Sequence, residues 1–446
     1  MLYSLLLRPV FLVSDSSFVL RLPSLAFTVG TLAVVFRLGR RWGGPSLAAM
    51  STLALGLTQM FLGHTMQVRG YGLSMLLAAY LGSLATDDAP RSPRRRWVAI
   101  VIAGAALVYV LPTNLLFLVP LAMVAAAWTA LCGGGFRATI KESAAWMAAC
   151  LAGSALYLPV AGQLIEAGRR QGPAPRSTAL HLAGGFFSAA LRDWWLIPLL
   201  AAVGIAFWVR DTRRQPSRRR WLLPLITVGM LGIPFALTAV FRLQPFVRNY
   251  CPALPFLALA IAWLVAECVA GLGRIVTRAW SAPRTALAGM LLLAAVALPR
   301  ITTYPARLAE YRSRQFAQDG YYDYYAADYH PGRLADHLRE TIDPALGHRI
   351  LYAEADHVPL QYHLARAGVP RSRDVAGGSK QSGCVVYLIL PPLVDYEALA
   401  RETGLSDETL WSFVLEGDFG YYRLLRSPKP LPAYRLSDAE LDGGTF

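Results

Sequence analysis

Two stretches of this chain gather groups that bind anions. GHTMQVRGYGLSM carries His64, Gln67, Arg69 and Tyr71, and FRLQPFVRNYCPALPF carries Arg242, Arg248, Asn249 and Tyr250. Each lies where one apolar run gives way to the next. A guanidinium pairs phosphate oxygens bidentately, and a neighbouring phenol adds one more donor. Two arginines from distant parts of the chain, each beside an aromatic ring, make a clamp for phosphate or pyrophosphate if the fold brings them to one height. The competing reading is that each arginine only anchors a helix end in an interfacial layer.

Other candidate groups have weaker patterns. The stretch 163–193 offers Glu166, Arg169, Arg170, Arg176, His181, Arg192 and Asp193, with Trp194 and Trp195 behind them. The tryptophans read as an interfacial belt, with a sugar platform as the alternative. Tyr321, Tyr322, Tyr324, Tyr325 and Tyr329 read as a surface for docking on the membrane, with sugar stacking as the alternative. Within the apolar runs the clear ionisable residue is Glu267, read as paired or snorkelling near one end of its helix, which disfavours an ion-coupled carrier. GGGF at 133–136 and GLG at 271–273 read as turns, because neither follows a strand nor completes a phosphate-loop pattern. No cluster with metal-ligand spacing faces the same side as the arginines.

The elements that must position these residues follow from composition. The chain has 446 residues, is 55% hydrophobic and only 16% charged, and has a mean hydropathy of +0.40. These values exclude a water-soluble enzyme and imply a polytopic membrane protein. About ten spans are expected, near 22–36, 44–62, 70–85, 97–111, 113–131, 144–162, 194–209, 221–240, 251–270 and 285–299. The net charge of +15 divides into +19 before residue 299, carried in short arginine clusters, and −4 after it. Clusters of that kind set topology, so nucleic acid is rejected as a partner. One set of alternate loops holds Arg37, Arg40, Arg41, Arg91, Arg94 to Arg96, Arg137, Lys141, Arg210 to Arg220 and Arg274 to Arg284, and is assigned to the cytoplasm. The sparser set holds Arg69, Arg169, Arg170, Arg176, Arg192, Arg242 and Arg248, and lies outside. Arginine almost replaces lysine, which appears as Lys141, Lys380 and Lys429 only, a composition typical of GC-rich bacterial genomes. Of five cysteines, Cys384 alone falls in the polar tail, so no disulfide framework can form there. The N-terminal run MLYSLLL is interrupted by Arg8 and Pro9 and does not read as a signal peptide. The tail alternates strand-like and helical runs (RILYAEAD, HVPLQYHLARAG, CVVYLIL, DYEALARETG, WSFVLEGDFGYYRLLR), so residues 300–446 are expected to form a small extracytoplasmic α/β domain after a membrane domain over 1–299.

The order of pieces resembles a known family. RLPS at Arg21 to Ser24, LGRR at Leu38 to Arg41, and Gln67-x-Arg69-x-Tyr71 are similar in order and spacing to bacterial transferases related to dolichyl-phosphate-mannose protein mannosyltransferases. That group includes the lipid A aminoarabinose transferases and has the GT-C-like architecture. RNY at 248–250 and the following LPFLALAIA resemble the family's Arg-Tyr-led span, with Asn249 between the two residues. The resemblance covers residues 14–85 well and the remainder in patches. It implies a polyprenyl-phosphate-linked sugar as donor, a lipid, glycan or protein acceptor, and reaction at the outer face of the bacterial inner membrane. Arg69 and Arg248 would then hold the lipid phosphate, with Tyr71, Tyr250, Gln67 and His64 around it. A divalent metal assists the leaving phosphate in some relatives; no cofactor is read from this sequence. The family's catalytic acids lie on a first outer loop, after a spanning helix that precedes the segment matched here by MLYSLLLRPVFLV. The expectation is therefore a chain lacking that helix and loop, truncated or inactive as written, with Asp15 as a weak stand-in for the base. A non-catalytic subunit that binds lipid-linked sugar and a carrier or flippase are the alternatives.

Overall fold

The computed structural model describes residues 2–14, 17–65, 69–87, 92–163, 165, 175, 177–191, 196–214, 218–243, 245–276, 284, 287–296, 302, 331–343, 347–352, 358–370, 372–373, 383–390, 405–419 and 422–432. It divides into two compact units, Met1–Arg300 and Ile301–Phe446.

The first unit is helical. Its elements are α1 (Leu2–Val13), α2 (Ser17–Gly56), α3 (Gln59–Thr65), α4 (Tyr71–Ala85), α5 (Pro93–Val110), α6 (Leu115–Leu131), α7 (Phe136–Ala155), α8 (Ser177–Leu191), α9 (Ile197–Arg214), α10 (Leu222–Val240), α11 (Leu254–Val276) and α12 (Leu287–Val296). Short 3₁₀ turns at Pro112–Asn114 and Val247–Ala253 lead into α6 and α11. Among the described residues, four helical stretches are long and apolar enough to cross a membrane: Phe18–Gly56, Pro112–Leu131, Leu222–Val240 and Val247–Ile275. α11 is buried all round from Leu254 to Trp263 and forms the centre, between α2 and α9. Its neighbours bury one face and leave Val29, Ile102, Met147, Leu151, Leu199 and Val228 exposed on the other. Surface aliphatic groups on so many helices fit a hydrocarbon solvent.

α2 is two arms rather than one rod. Gly44 adopts φ 83°, a conformation that favours glycine, and Pro45 restarts the helix. The chain doubles back there: a Cβ on Gly39 would meet the Ala48 backbone at 2.7 Å, whereas a straight helix would hold those residues about 13 Å apart. The arms coincide with the first two expected spans. α5, α7, α9 and α12 overlap those expected near 97–111, 144–162, 194–209 and 285–299.

Three differences from the sequence reading have simple causes. GLG at 271–273 is not a turn but lies inside α11, where Gly271 makes room for the Phe207 ring on α9. The expected outer loop at 163–193 contains α8, whose apolar run is interrupted by His181 and Ser188 and flanked in sequence by Arg176 and Arg192. The N-terminal run forms α1 despite Pro9, burying Tyr3 and Leu7 against Leu73 and Val110. GGGF does contain a turn, with Gly133 at φ 84°.

The arginine-rich loops meet in pairs. Arg41 donates to the carbonyl oxygens of Ser83 and Thr86 and pairs with Asp87 at 3.1 Å, tying the α2 turn to the end of α4. Arg96 forms a fork with Glu142, Nη2 to Oε1 being 2.6 Å, and also donates to the Leu84 carbonyl. Trp146 donates its indole N–H to Glu142 at 2.8 Å. Arg274 pairs with the buried Asp211 at 2.6 Å. Glu267 lies among these charges, within electrostatic reach of Arg220, Asp211 and Arg274 and hydrogen-bonded to Trp263.

The second unit is a mixed sheet with helices on both faces. β1 (Gly347–Tyr352), β2 (Ser372–Arg373), β3 (Gly383–Leu390), β4 (Val414–Phe419) and β5 (Tyr422–Arg426) lie in the order β2-β1-β3-β5-β4, and β6 (Leu431–Pro432) also pairs with β3. β1 and β3 run parallel, joined through α14 (Val358–Arg366), with α13 (Pro331–Thr341) before β1. Alternation along β3 sends Val385, Tyr387 and Ile389 toward Leu334, Leu338, Leu360 and Leu364. Cys384, Val386, Leu388 and Leu390 pack instead with Leu405, Leu410 and Phe413 around α15 (Asp407–Trp411). The helical DYEALARETG stretch expected from sequence lies outside the described residues.

Candidate functional site

The Gln-x-Arg-x-Tyr segment sits where α3 hands over to α4. Gly70 occupies the N-cap position and lies so close to Val110 that any side chain there would collide with it. The backbone carbonyl of Gly70 accepts from Ser74 at 2.8 Å, which starts α4 at Tyr71. Tyr71 is buried, while Arg69 just before the helix is exposed. The Arg69 side chain hydrogen-bonds to the Tyr71 hydroxyl. His64, buried at the end of α3, holds its ring 5.1 Å from that of Tyr71 at a tilt of 58°.

The turn Val247–Ala253 brings the second arginine to the same place by packing against α4. Arg248, half-buried, acts electrostatically on Tyr71, as does Arg69. It also lies over the Phe246 ring, 4.4 Å from the centroid, which fixes the guanidinium plane. Cys251, one turn later, is fully buried and close enough to interact with both Tyr71 and Arg248. Two positive groups, a phenol and an imidazole thus share one end of the bundle, where α4 also begins with the positive end of its dipole. Such an arrangement attracts an anion able to accept several hydrogen bonds.

Tyr250 has a different place from Tyr71. It is completely buried, stacks on Phe235 at 4.3 Å and 14°, and meets Phe117 and Phe186 edge-on or tilted. Its hydroxyl is 2.6 Å from Thr238 Oγ1. The residue therefore anchors the turn that carries Arg248, and its polar tip is turned to α10. Arg242 has φ 52°, an uncommon conformation for a residue with a Cβ, and is exposed. His181 is exposed and bonded to the Ser177 carbonyl at 2.9 Å within its own helix. Gln67, Asp15, Glu166, Arg169, Arg170, Arg176, Arg192, Asp193, Trp194, Trp195 and the tyrosines at 321–329 lie outside the described residues. Among the described residues no group of three or more His, Cys, Asp or Glu is gathered for a metal ion.

One polar element at this end was absent from the sequence reading. Asn114, wholly buried, donates its amide to Ser74 Oγ at 2.9 Å and to the Leu107 carbonyl at 2.8 Å. Its turn packs against the turn of Arg248. An Asn within a run as apolar as LPTNLLFLVPL, directly after a helix-stopping proline, was the available signal.

No protein-family model matches the chain, and no curated protein matches it. Among solved structures it is similar to ArnT from Cupriavidus metallidurans in two crystal forms, one bound to undecaprenyl phosphate and one in the apo state. Both show 14% sequence identity and a TM-score of 0.49, covering 92% and 94% of this chain and 84% of that chain.

Proposed function

We propose that the chain is an integral membrane glycosyltransferase whose donor is a polyprenyl-phosphate-linked sugar, acting at the outer face of a bacterial inner membrane. The observation that supports this most directly is the convergence of Arg69 and Arg248 on Tyr71. Two arginines separated widely in sequence and set beside one phenol suit a phosphate at headgroup depth.

In this reading the lipid phosphate accepts from both guanidiniums and from the Tyr71 hydroxyl, whose oxygen already accepts from Arg69. As the acceptor hydroxyl attacks the anomeric carbon, the bond from that carbon to the phosphate oxygen breaks and the phosphate gains negative charge. Two fixed cations stabilise that charge more than they stabilise the donor. The acceptor's proton passes to a carboxylate. Asp15, Glu166 and Asp193 are the acids the sequence offers on this side. Tyr250 and its aromatic neighbours keep the Arg248 turn rigid, and the arginine-rich loops, on the cytoplasmic side, set the orientation.

Full-length protein in lipid nanodiscs, titrated with undecaprenyl phosphate and then incubated with undecaprenyl-phosphate-linked sugars and acceptor-containing membrane extract, tests the proposal. Saturable lipid binding with release of undecaprenyl phosphate supports a transferase. Binding without turnover supports the accessory-subunit reading, and absence of binding removes the lipid-phosphate site altogether.

A further inference from the structure

Pro112 breaks the chain between α5 and α6, and the repair leaves two polar atoms over. Proline has no N–H for the Val108 carbonyl, so the last turn of α5 is completed by side chains. The Tyr157 hydroxyl serves the carbonyl oxygens of Val108 and Tyr109 at 3.0 and 3.2 Å, and Asn114 serves that of Leu107. The Leu107 carbonyl can only accept, which fixes the Asn114 amide with its NH₂ toward α5 and its oxygen turned away. Among the described residues neither Asn114 Oδ1 nor the neighbouring Thr113 Oγ1 has a hydrogen-bond partner, although both atoms are buried and Asn114 is 0% exposed. Buried acceptors without partners are uncommon and costly, so a pair of them on one short turn marks a place where a further group fits.

Their position says which group. Ser74, bonded to Asn114, is one turn along α4 from Tyr71. Phe117, one turn beyond Asn114, lies edge-on to Tyr250 with ring centroids 6.0 Å apart, and the Pro112–Asn114 turn packs on the Val247–Ala253 turn that bears Arg248. The two leftover atoms therefore belong to the same end of the bundle as the arginine pair. One accepts only, and the other donates and accepts. A phosphate, which only accepts at its charged oxygens, would not satisfy Asn114 Oδ1, whereas a sugar hydroxyl donates to Asn114 and accepts from Thr113.

We infer that Thr113 and Asn114 recognise hydroxyls of the donor's glycosyl group, and so contribute to sugar selectivity while the arginine pair holds the phosphate. This inference rests on the donor reading given above. Thr113→Val is the informative variant, because it replaces a hydroxyl without a partner among the described residues by a methyl of the same shape. Its melting temperature should equal or exceed that of the parent protein. In nanodiscs, undecaprenyl phosphate, its mannosyl ester and its arabinosyl ester are titrated into the parent and the variant. Affinity for at least one sugar ester should fall about fivefold, the size of one neutral hydrogen bond, with affinity for undecaprenyl phosphate unchanged. Equal loss for all three ligands, or no loss for any, overturns the sugar assignment and leaves the phosphate site standing. If the parent protein binds none of the three, the donor reading itself fails, and this inference with it. Asn114→Ser, which keeps an acceptor but shortens the reach, is the second variant: selective loss for the sugar esters supports the assignment, and parallel loss for undecaprenyl phosphate counts against it.

Discussion

The Tyr71 hydroxyl is hydrogen-bonded by Arg69 and lies within electrostatic reach of Arg248, although the two arginines are far apart along the chain. Arg69 bonds to it from the residue pair just before α4, and Arg248 acts on it electrostatically from the turn ahead of α11. Neither arginine is placed by its own helix alone. The α4 start depends on Gly70 fitting against Val110, and the α11 start depends on Tyr250 being gripped by Phe235 and Thr238.

Because the two guanidiniums share a target, their contributions to anion binding should be coupled. Arg69→Ala or Arg248→Ala should each weaken binding of undecaprenyl phosphate by about 2 kcal/mol, as expected for a charge-assisted hydrogen bond lost from a partly buried site. The double variant should lose less than the sum, since the phosphate that has lost one clamp no longer sits rigidly on the other. Isothermal titration of the four proteins gives the coupling energy. Strict additivity would place the arginines at separate sites, and unchanged affinity in both single variants would remove the assignment.

The two tyrosines should separate in their effects. Tyr71→Phe removes a hydroxyl that meets Arg69 and faces Arg248, so it should reduce lipid-phosphate affinity by about 1 kcal/mol while leaving the melting temperature nearly constant. Tyr250→Phe removes a hydroxyl bonded to Thr238 and keeps the aromatic stack. It should cost about 1 kcal/mol of stability with little change in affinity. Paired melting and binding curves decide the matter, and the reverse pattern would exchange the roles given to the two residues.

Much of the helical architecture was legible because long apolar runs must form helices wherever water cannot satisfy their backbone. The α2 arms, α4, α6, α10 and α11 fall where hydropathy placed spans, and the tail's alternation foretold a sheet with helices. What escaped depends on packing partners that lie far along the chain. α8 reads as a loop because His181, Ser188 and the arginines on either side dilute its apolar run, and Gly271 looks like a turn until Phe207 is set against it. The arginine pair was recognisable by residue type, yet Tyr250, which shared that pattern, proved to be a buried anchor. Asn114 gave only a faint signal, since nothing in sequence says which carbonyl a buried amide will serve. Glu142 lies just before the span expected near 144–162, so nothing in sequence marked it as a buried partner for Arg96.

Glu142 leads to a stability prediction. It is almost fully buried between Arg96 and the Trp146 indole, and Arg96 also holds the Leu84 carbonyl near the end of α4. Removing one member strands the other without water. Arg96→Met should therefore destabilise the helical unit by about 3 kcal/mol, more than Arg41→Met, whose partner Asp87 is about one-third exposed and partly screened. Detergent-solubilised protein followed by thermal melting ranks the two. An equal, small effect from both would show that water reaches the Arg96–Glu142 pair.

The second unit should respond to acid through His363. Burial lowers the pKa of this histidine from its ordinary value of 6.5, and the nearby Arg366 lowers it further, while Asp336 acts in the opposite sense. The folded state therefore binds its proton more weakly than the unfolded chain does. Stability from this residue is complete above pH 6.5 and is lost as the pH falls through that value toward the lower folded pKa. Since His363 sits on α14, against Gly332 at the start of α13, the first effect should be loosening of these helices over β1 and β3. Hydrogen exchange on the full-length protein at pH 7.5 and 5.5 should show protection lost in 358–366 and 383–390 at the lower pH, and His363→Gln should flatten that difference. Exchange independent of pH in the parent protein, or an unchanged acid response in the variant, would assign the sensitivity to another group.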